Sequence, residues 1–166
     1  MSDSSKKRIV FIGKHLLVLW LIFLLQTMVF SRLRIFGIAP LLLPIAVVSI
    51  GLFEGPYWGA SMGLFAGLLS DAAFLGHTVL FAILLTAFGF LAGHFASRIL
   101  SRGFPSHVLC SFLALLFIAA FQMFPLLVYH GQAPIPLLIV GLYQTIYSLF
   151  FTLPLYYVGR GLKRKL

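Results

Sequence analysis

Apolar residues run through this chain with so few interruptions that no polar stretch exceeds about ten residues. That leaves no room for a water-facing domain. Hydrophobic residues fill 61% of the 166 positions and charged residues only 9%, whereas a soluble domain carries roughly 25% charge. The solvent for most of this surface is therefore lipid. In hydrocarbon every backbone N–H and C=O must be satisfied within the protein, and helices do this within each segment. One membrane domain is expected over 9–158, between a tail at 1–8 and a basic tail at 159–166.

Six segments read as candidate spans: 9–30, 38–53, 57–74, 78–96, 107–129 and 135–158. A span usually takes about 20 apolar residues. The second and third are short, so they tilt, thin the bilayer, or form a re-entrant pair buried by the others. Gly55-Pro56 separates these two, because proline restricts the residue before it. Gly103-Phe104-Pro105 and Gly131-Gln132-Ala133-Pro134 mark the later breaks. Pro125 and Pro154 lie inside spans and predict bends. Basic residues before the first apolar run suggest a cleaved leader, but no small-residue cleavage site follows. The segment reads as a retained helix. The expected fold is an all-α integral membrane protein, a compact bundle of six transmembrane helices.

The net charge of +9 is not scattered. Lys6, Lys7, Arg8 and Lys14 stand at the start, Arg98 and Arg102 in the middle, and Arg160, Lys163, Arg164 and Lys165 at the end. Only Arg32 and Arg34 fall elsewhere. Charge that flanks apolar segments points to anionic headgroups and to orientation, not to nucleic acid. With the N-terminus inside, ten of the twelve basic residues lie on the inner side. This positive-inside bias puts both termini in the cytoplasm.

Within this chain Gly55, Gly59, Gly63, Gly67 and Asp71 recur every fourth residue. In water each interior glycine costs a helix about 1 kcal/mol. In lipid, small residues four apart let two backbones approach, with right-handed crossings of about −40°. Four residues turn a helix by about 400°, so Gly59, Gly63 and Gly67 cover an arc of about 80°. Gly89 and Gly93, also four apart, make the fourth span the expected partner. The other reading is a docking face for another protein's helix. Gly55, before Pro56, belongs to the turn.

Asp71 is one of three acids in the chain. It lies about 21 Å from the inner end of its span, toward the outer leaflet. Arg32 and Arg34 fall on the same side, and His77 lies at the outer turn that follows. Asp71 is expected to pair with one of these arginines, to bond outer-loop backbone, or to be a solvated helix-end acid. It has drifted about 120° from Gly59 and so need not face the same neighbour.

Other motifs carry less. Gly59-Ala60-Ser61-Met62-Gly63 matches the G-x-S-x-G nucleophile elbow, but that elbow needs a strand-to-helix turn. Gln26, Gln122 and Gln144 lie within spans and are expected to bond between helices, or to line a polar cavity. His15 and His94 lie near inner ends, where they would meet headgroups or loop backbone. Tyr57, Trp58, Tyr129, Tyr156 and Tyr157 suit an interfacial belt, while Trp20 suits packing within the bundle. The histidines lack metal-ligand spacing, and the lone Cys110 suits a small buried hydrophobe. Asp71 is the only acid expected inside a span, which weighs against a proton pump. No catalytic residue, metal or cofactor is expected.

Taken in order, Pro40-Leu41-Leu42-Leu43, Gly55 through the ladder to Asp71, Leu75-Gly76, and Gly89 with Gly93 resemble the rod shape-determining MreD family. The match runs from about Ile38 to Phe95, with agreement elsewhere only in length and hydropathy. Two features depart from the family pattern. Leu41 stands where a polar residue often follows the proline, and only Ala72, Ala73 and Phe74 separate Asp71 from the Leu-Gly pair. The resemblance implies a non-enzymatic inner-membrane subunit of the bacterial cell-elongation machinery. Its partners would be an MreC-like single-span periplasmic protein and, through it, peptidoglycan synthases and the MreB filament. It also implies a fold similar to the substrate-binding subunits of energy-coupling-factor transporters. A small-ligand-binding subunit of a vitamin-type transporter is the alternative.

Overall fold

The computed structural model describes residues 3–30, 32, 40–73, 80–98, 103–129 and 134–162. They form seven helices and, among the described residues, no strand. Helix α1 (Asp3–Leu24) runs into a π-helical turn, Leu25–Phe30. Then follow α2 (Leu42–Glu54), α3 (Pro56–Ala73), α4 (Leu80–Arg98), α5 (Phe104–Tyr129), α6 (Pro134–Phe150) and α7 (Thr152–Leu162). The basic N-terminal segment is helical from Asp3 onward, continuous with the first apolar run.

Two stretches, Ile9–Phe30 and Phe104–Gln122, are long and apolar enough to cross a membrane. Leu138–Phe150 with Thr152–Gly161 makes a third if the pair, bent by 46°, counts as one span. Leu42–Glu54 and Leu80–Ala96 are apolar but shorter. The bend has a chemical cause. Pro154 offers no N–H to the carbonyl of Phe150, and its ring crowds that carbonyl. The chain steps through a tight turn instead, with the N–H of Phe151 donating to Ser148 O at 3.0 Å. Pro125, by contrast, lies within α5 without ending it.

Helix α2 is the centre of the molecule. Every residue from Leu42 to Phe53 is buried, and α1, α3, α4, α5 and α7 pack around it. Its 13 residues cover about 20 Å, against a hydrocarbon thickness of about 30 Å. A helix wrapped by other helices has no need to match the bilayer. Leu42, Leu43, Ile45, Val47 and Leu52 are almost fully enclosed. In lipid such burial gains little from water release, so dispersion contacts and close fit hold these side chains. The outward faces of α1, the π-helical turn, α5 and α6 carry exposed Leu21, Met28, Leu113, Phe117, Leu138 and Ile146, as a lipid-facing surface requires.

Candidate functional site

The glycines of α2, α3 and α4 meet at one point. A Cβ placed on Gly59 would collide with the carbonyl oxygen of Gly89 and come within 2.6 Å of Gly51 Cα. A Cβ on Gly51 or Gly89 would likewise run into backbone of the facing helix. The seam then continues along α3. Gly63 lies against the backbone of Leu85, and Gly67 against Ala82. At the opposite end of the seam Gly93 lies against Gly55 and Pro56. Gly55 itself, at φ +106°, makes the turn between α2 and α3, a conformation that side-chain-bearing residues rarely adopt. Gly51 extends the four-residue spacing one step toward the N-terminus. The same four-residue spacing, visible in the sequence, is the signal that marks it.

Asp71 closes the seam. Its carboxylate accepts from the backbone N–H of Phe81 (3.2 Å) and of Ala82 (2.9 Å), in the first turn of α4. Helix N-termini carry unsatisfied donors and a positive partial charge, and a carboxylate answers both. Asp71 thus bonds the same helix that the glycines pack on, through backbone N–H groups. The facing residues step from Gly89 through Leu85 to Ala82 as α3 advances from Gly59 to Gly67, so the two helices stay in close contact along this length. Among the described residues no ion pair joins Asp71 to Arg32, which is exposed in a turn. Arg34 and His77 lie outside the described residues.

The N-terminus of α2 is satisfied by neutral groups. Leu41 precedes it in extended conformation and offers no capping side chain. Gln26 Oε1 accepts from the N–H of Leu42 (2.8 Å) and of Leu43 (3.0 Å), and Ser148 Oγ accepts from Leu41 N–H (2.9 Å). Pro44 has no N–H to satisfy, which completes the four donors a helix start leaves free. Gln26 lies in the π-helical turn and is buried. It is an interhelical tie, and its target is backbone.

A second polar group lies toward the other end of α2. Ser49 Oγ stands 2.5 Å from Nε2 of His107 and 2.9 Å from the carbonyl of Ile45. A serine beside a histidine is the distance relation of a nucleophile and its base. Both residues are shut off, at 1% and 0% exposure. The cavity beside Ser49, lined by Leu19, Ala46, Leu155 and Gly159, holds about 10 Å³, room for about one water. An acyl substrate does not fit there, and the pair ties α5 to α2.

Several residues take other places than their types suggested. His15 is buried beneath Phe11 and Trp58, its Nδ1 3.0 Å from the carbonyl of Phe11, and does not reach headgroups. Tyr156 is buried against Phe53, Phe104 and His107, away from any interfacial belt. Trp20 is half exposed and faces lipid instead of packing within the bundle. Tyr57 and Tyr157 are exposed. Ser61 bonds its own helix at Trp58, on the exposed side of α3. Among the described residues no group of histidine, cysteine and acid side chains is placed to hold a metal. On the lipid side of α3 and α4, Ala60, Ala82 and Ala87 floor an open groove rimmed by Leu64, Ile83 and Phe90.

Compared with protein-family models, with curated proteins and with solved structures, the chain matches none. What can be stated is the class: an all-helical protein with two or three helices suited to crossing a membrane.

Proposed function

We propose that this chain is a non-enzymatic subunit of the bacterial cell-elongation machinery. It lies in the inner membrane with six crossings and both termini in the cytoplasm. There it holds an MreC-like single-span periplasmic protein in fixed orientation, so that peptidoglycan synthesis outside follows MreB filaments inside. The observation that carries this reading is the interlock of 51–71 with α4. The residues that resemble the MreD family, Gly55, Gly59, Gly63 and Gly67 with Gly89 and Gly93, form a contact of backbone on backbone, which the Asp71 carboxylate closes at the start of α4. Such a contact has no side chains to rearrange, which suits a part that sets orientation. The groove over Ala60, Ala82 and Ala87 offers a small-residue surface of the kind a single partner helix packs on.

The vitamin-transporter alternative needs an enclosed polar chamber for a ligand, whereas among the described residues the void beside Ser49 has room for about one water and the larger groove over Ala60, Ala82 and Ala87 is open and apolar. One experiment separates the two. Purification from native membranes in mild detergent should bring down an MreC-like single-span protein, and depletion should round the cells. Co-purification of an ATPase-driven coupling partner with a bound small molecule, in cells that keep their shape, would overturn the proposal.

A further inference from the structure

Contacts between helices gather positive charge at one end of the bundle. The rings of Phe11 and His15 lie on Trp58, which sets the first half of α1 beside the start of α3. Gly93, near the end of α4, lies against Gly55 and Pro56. Gly159 meets Ser49 and Phe53, so α7 ends beside the end of α2. Of the seven basic residues in the described parts of the chain, six therefore share this end: Lys6, Lys7, Arg8, Lys14, Arg98 and Arg160. The acids Asp3 and Glu54 are there too and leave an excess of positive charge.

Lys14 and Arg160 are exposed and stand at one level. Gly159 meets α2 on either side of Gly51, and Gly51 lies against Gly59. Trp58, next to Gly59, meets the rings on either side of Lys14. Each cation then heads a matching stripe. Residues three and seven apart share a helix face. On α1, Leu17 and Leu21 follow Lys14 at these spacings, and on α7 Tyr157 and Leu153 precede Arg160 at the same spacings. All four are more than half exposed. Helix α1 runs away from the basic end and α7 runs toward it, so both stripes read cation first and apolar surface deeper. Tyr57, exposed at the start of α3, adds an aromatic ring at the same level, where headgroups meet hydrocarbon. A cation over apolar surface complements a molecule with an anionic head and a hydrocarbon tail. A soluble anion would leave the apolar part of each stripe uncovered.

We propose that Lys14 and Arg160 each hold the phosphate of an anionic phospholipid, whose hydrocarbon lies along Leu17 and Leu21 on α1 and along Tyr157 and Leu153 on α7. Native mass spectrometry of the full chain released from micelles tests this, with phosphatidylglycerol and phosphatidylcholine of identical acyl chains as probes. Phosphatidylglycerol should bind in preference. Lys14→Gln with Arg160→Gln should weaken its binding about 10- to 30-fold, and each single change should remove one bound lipid. Lys14→Arg with Arg160→Lys should keep both. Lys6→Gln with Lys7→Gln removes the same charge two turns further out on α1 and should leave the preference largely intact. Equal binding of the two lipids would overturn the proposal. So would equal losses in the two double glutamine variants, which would mean diffuse charge and no site. Binding of glycerol 1-phosphate as strong as that of phosphatidylglycerol would overturn the lipid as the ligand.

Discussion

The two halves of this molecule are joined by different means. In α2, α3 and α4 the backbones touch through Gly51, Gly59 and Gly89, and Asp71 satisfies donors at the start of α4. Between α5 and α7 the described contacts run through rings, Phe104 and His107 against Tyr156, one helix path is broken at Phe151, and buried polar atoms at His107, Ser111 and Thr152 stand without protein partners. Backbone-to-backbone packing gives many dispersion contacts and no rotamer freedom to lose. Side-chain packing around a bend can adjust. The first half is thus the reference frame, and the second is where movement is least costly.

The largest effect should come from adding a side chain to the seam. Gly89→Leu forces a group into the backbone of Gly59, and overpacking costs about 1–3 kcal/mol or more. Here no flexible side chain can yield, so the upper end is expected, read as lost cooperative unfolding in a detergent-micelle denaturation series. A change below that of Gly159→Leu, which meets the side chains of Ser49 and Phe53, would erase the contrast between the halves. Next is Gln26→Leu. It leaves the N–H groups of Leu42 and Leu43 without an acceptor in a buried site, at about 1–3 kcal/mol, checked in the same denaturation series.

Asp71→Ala removes a comparable pair of bonds at a half-exposed position, where headgroups and water can substitute. About 0.5–2 kcal/mol is expected, the usual worth of a helix cap, and less than for Gln26. Hydrogen exchange should rise at Phe81 and Ala82 and stay unchanged at Leu42. The smallest effect is a gain. Gly13 in α1 is exposed and has nothing near its Cβ position, so Gly13→Ala should stabilise the protein by up to about 1 kcal/mol. A loss instead would mean that α1 makes a close contact at Gly13.

Much of this was legible because glycine and proline act locally. The first apolar run, 9–30, agrees with the stretch suited to crossing a membrane. The Gly55-Pro56 turn and the bend at Pro154 follow from backbone chemistry that needs no tertiary knowledge. What escaped depended on who sits opposite. Nothing within α2 announces that it is enclosed on every side, because an apolar helix reads alike against lipid and against protein. The cap at Gln26 depends on a π-helical turn, and the burial of His15 and Tyr156 on rings from other helices. The bond from Asp71 to the start of α4 likewise depends on which helix lies opposite.

The central claim is that α2, α3 and α4 form one rigid block. With Cys110 replaced by serine, spin labels at the lipid-facing Leu64 and Ile83 report the α3–α4 distance by double electron–electron resonance in bilayers. One narrow distance is predicted, narrower than that between labels at Leu113 on α5 and Leu153 on α7. Two distances, or a spread across α3 and α4 as broad as that across α5 and α7, would contradict the account.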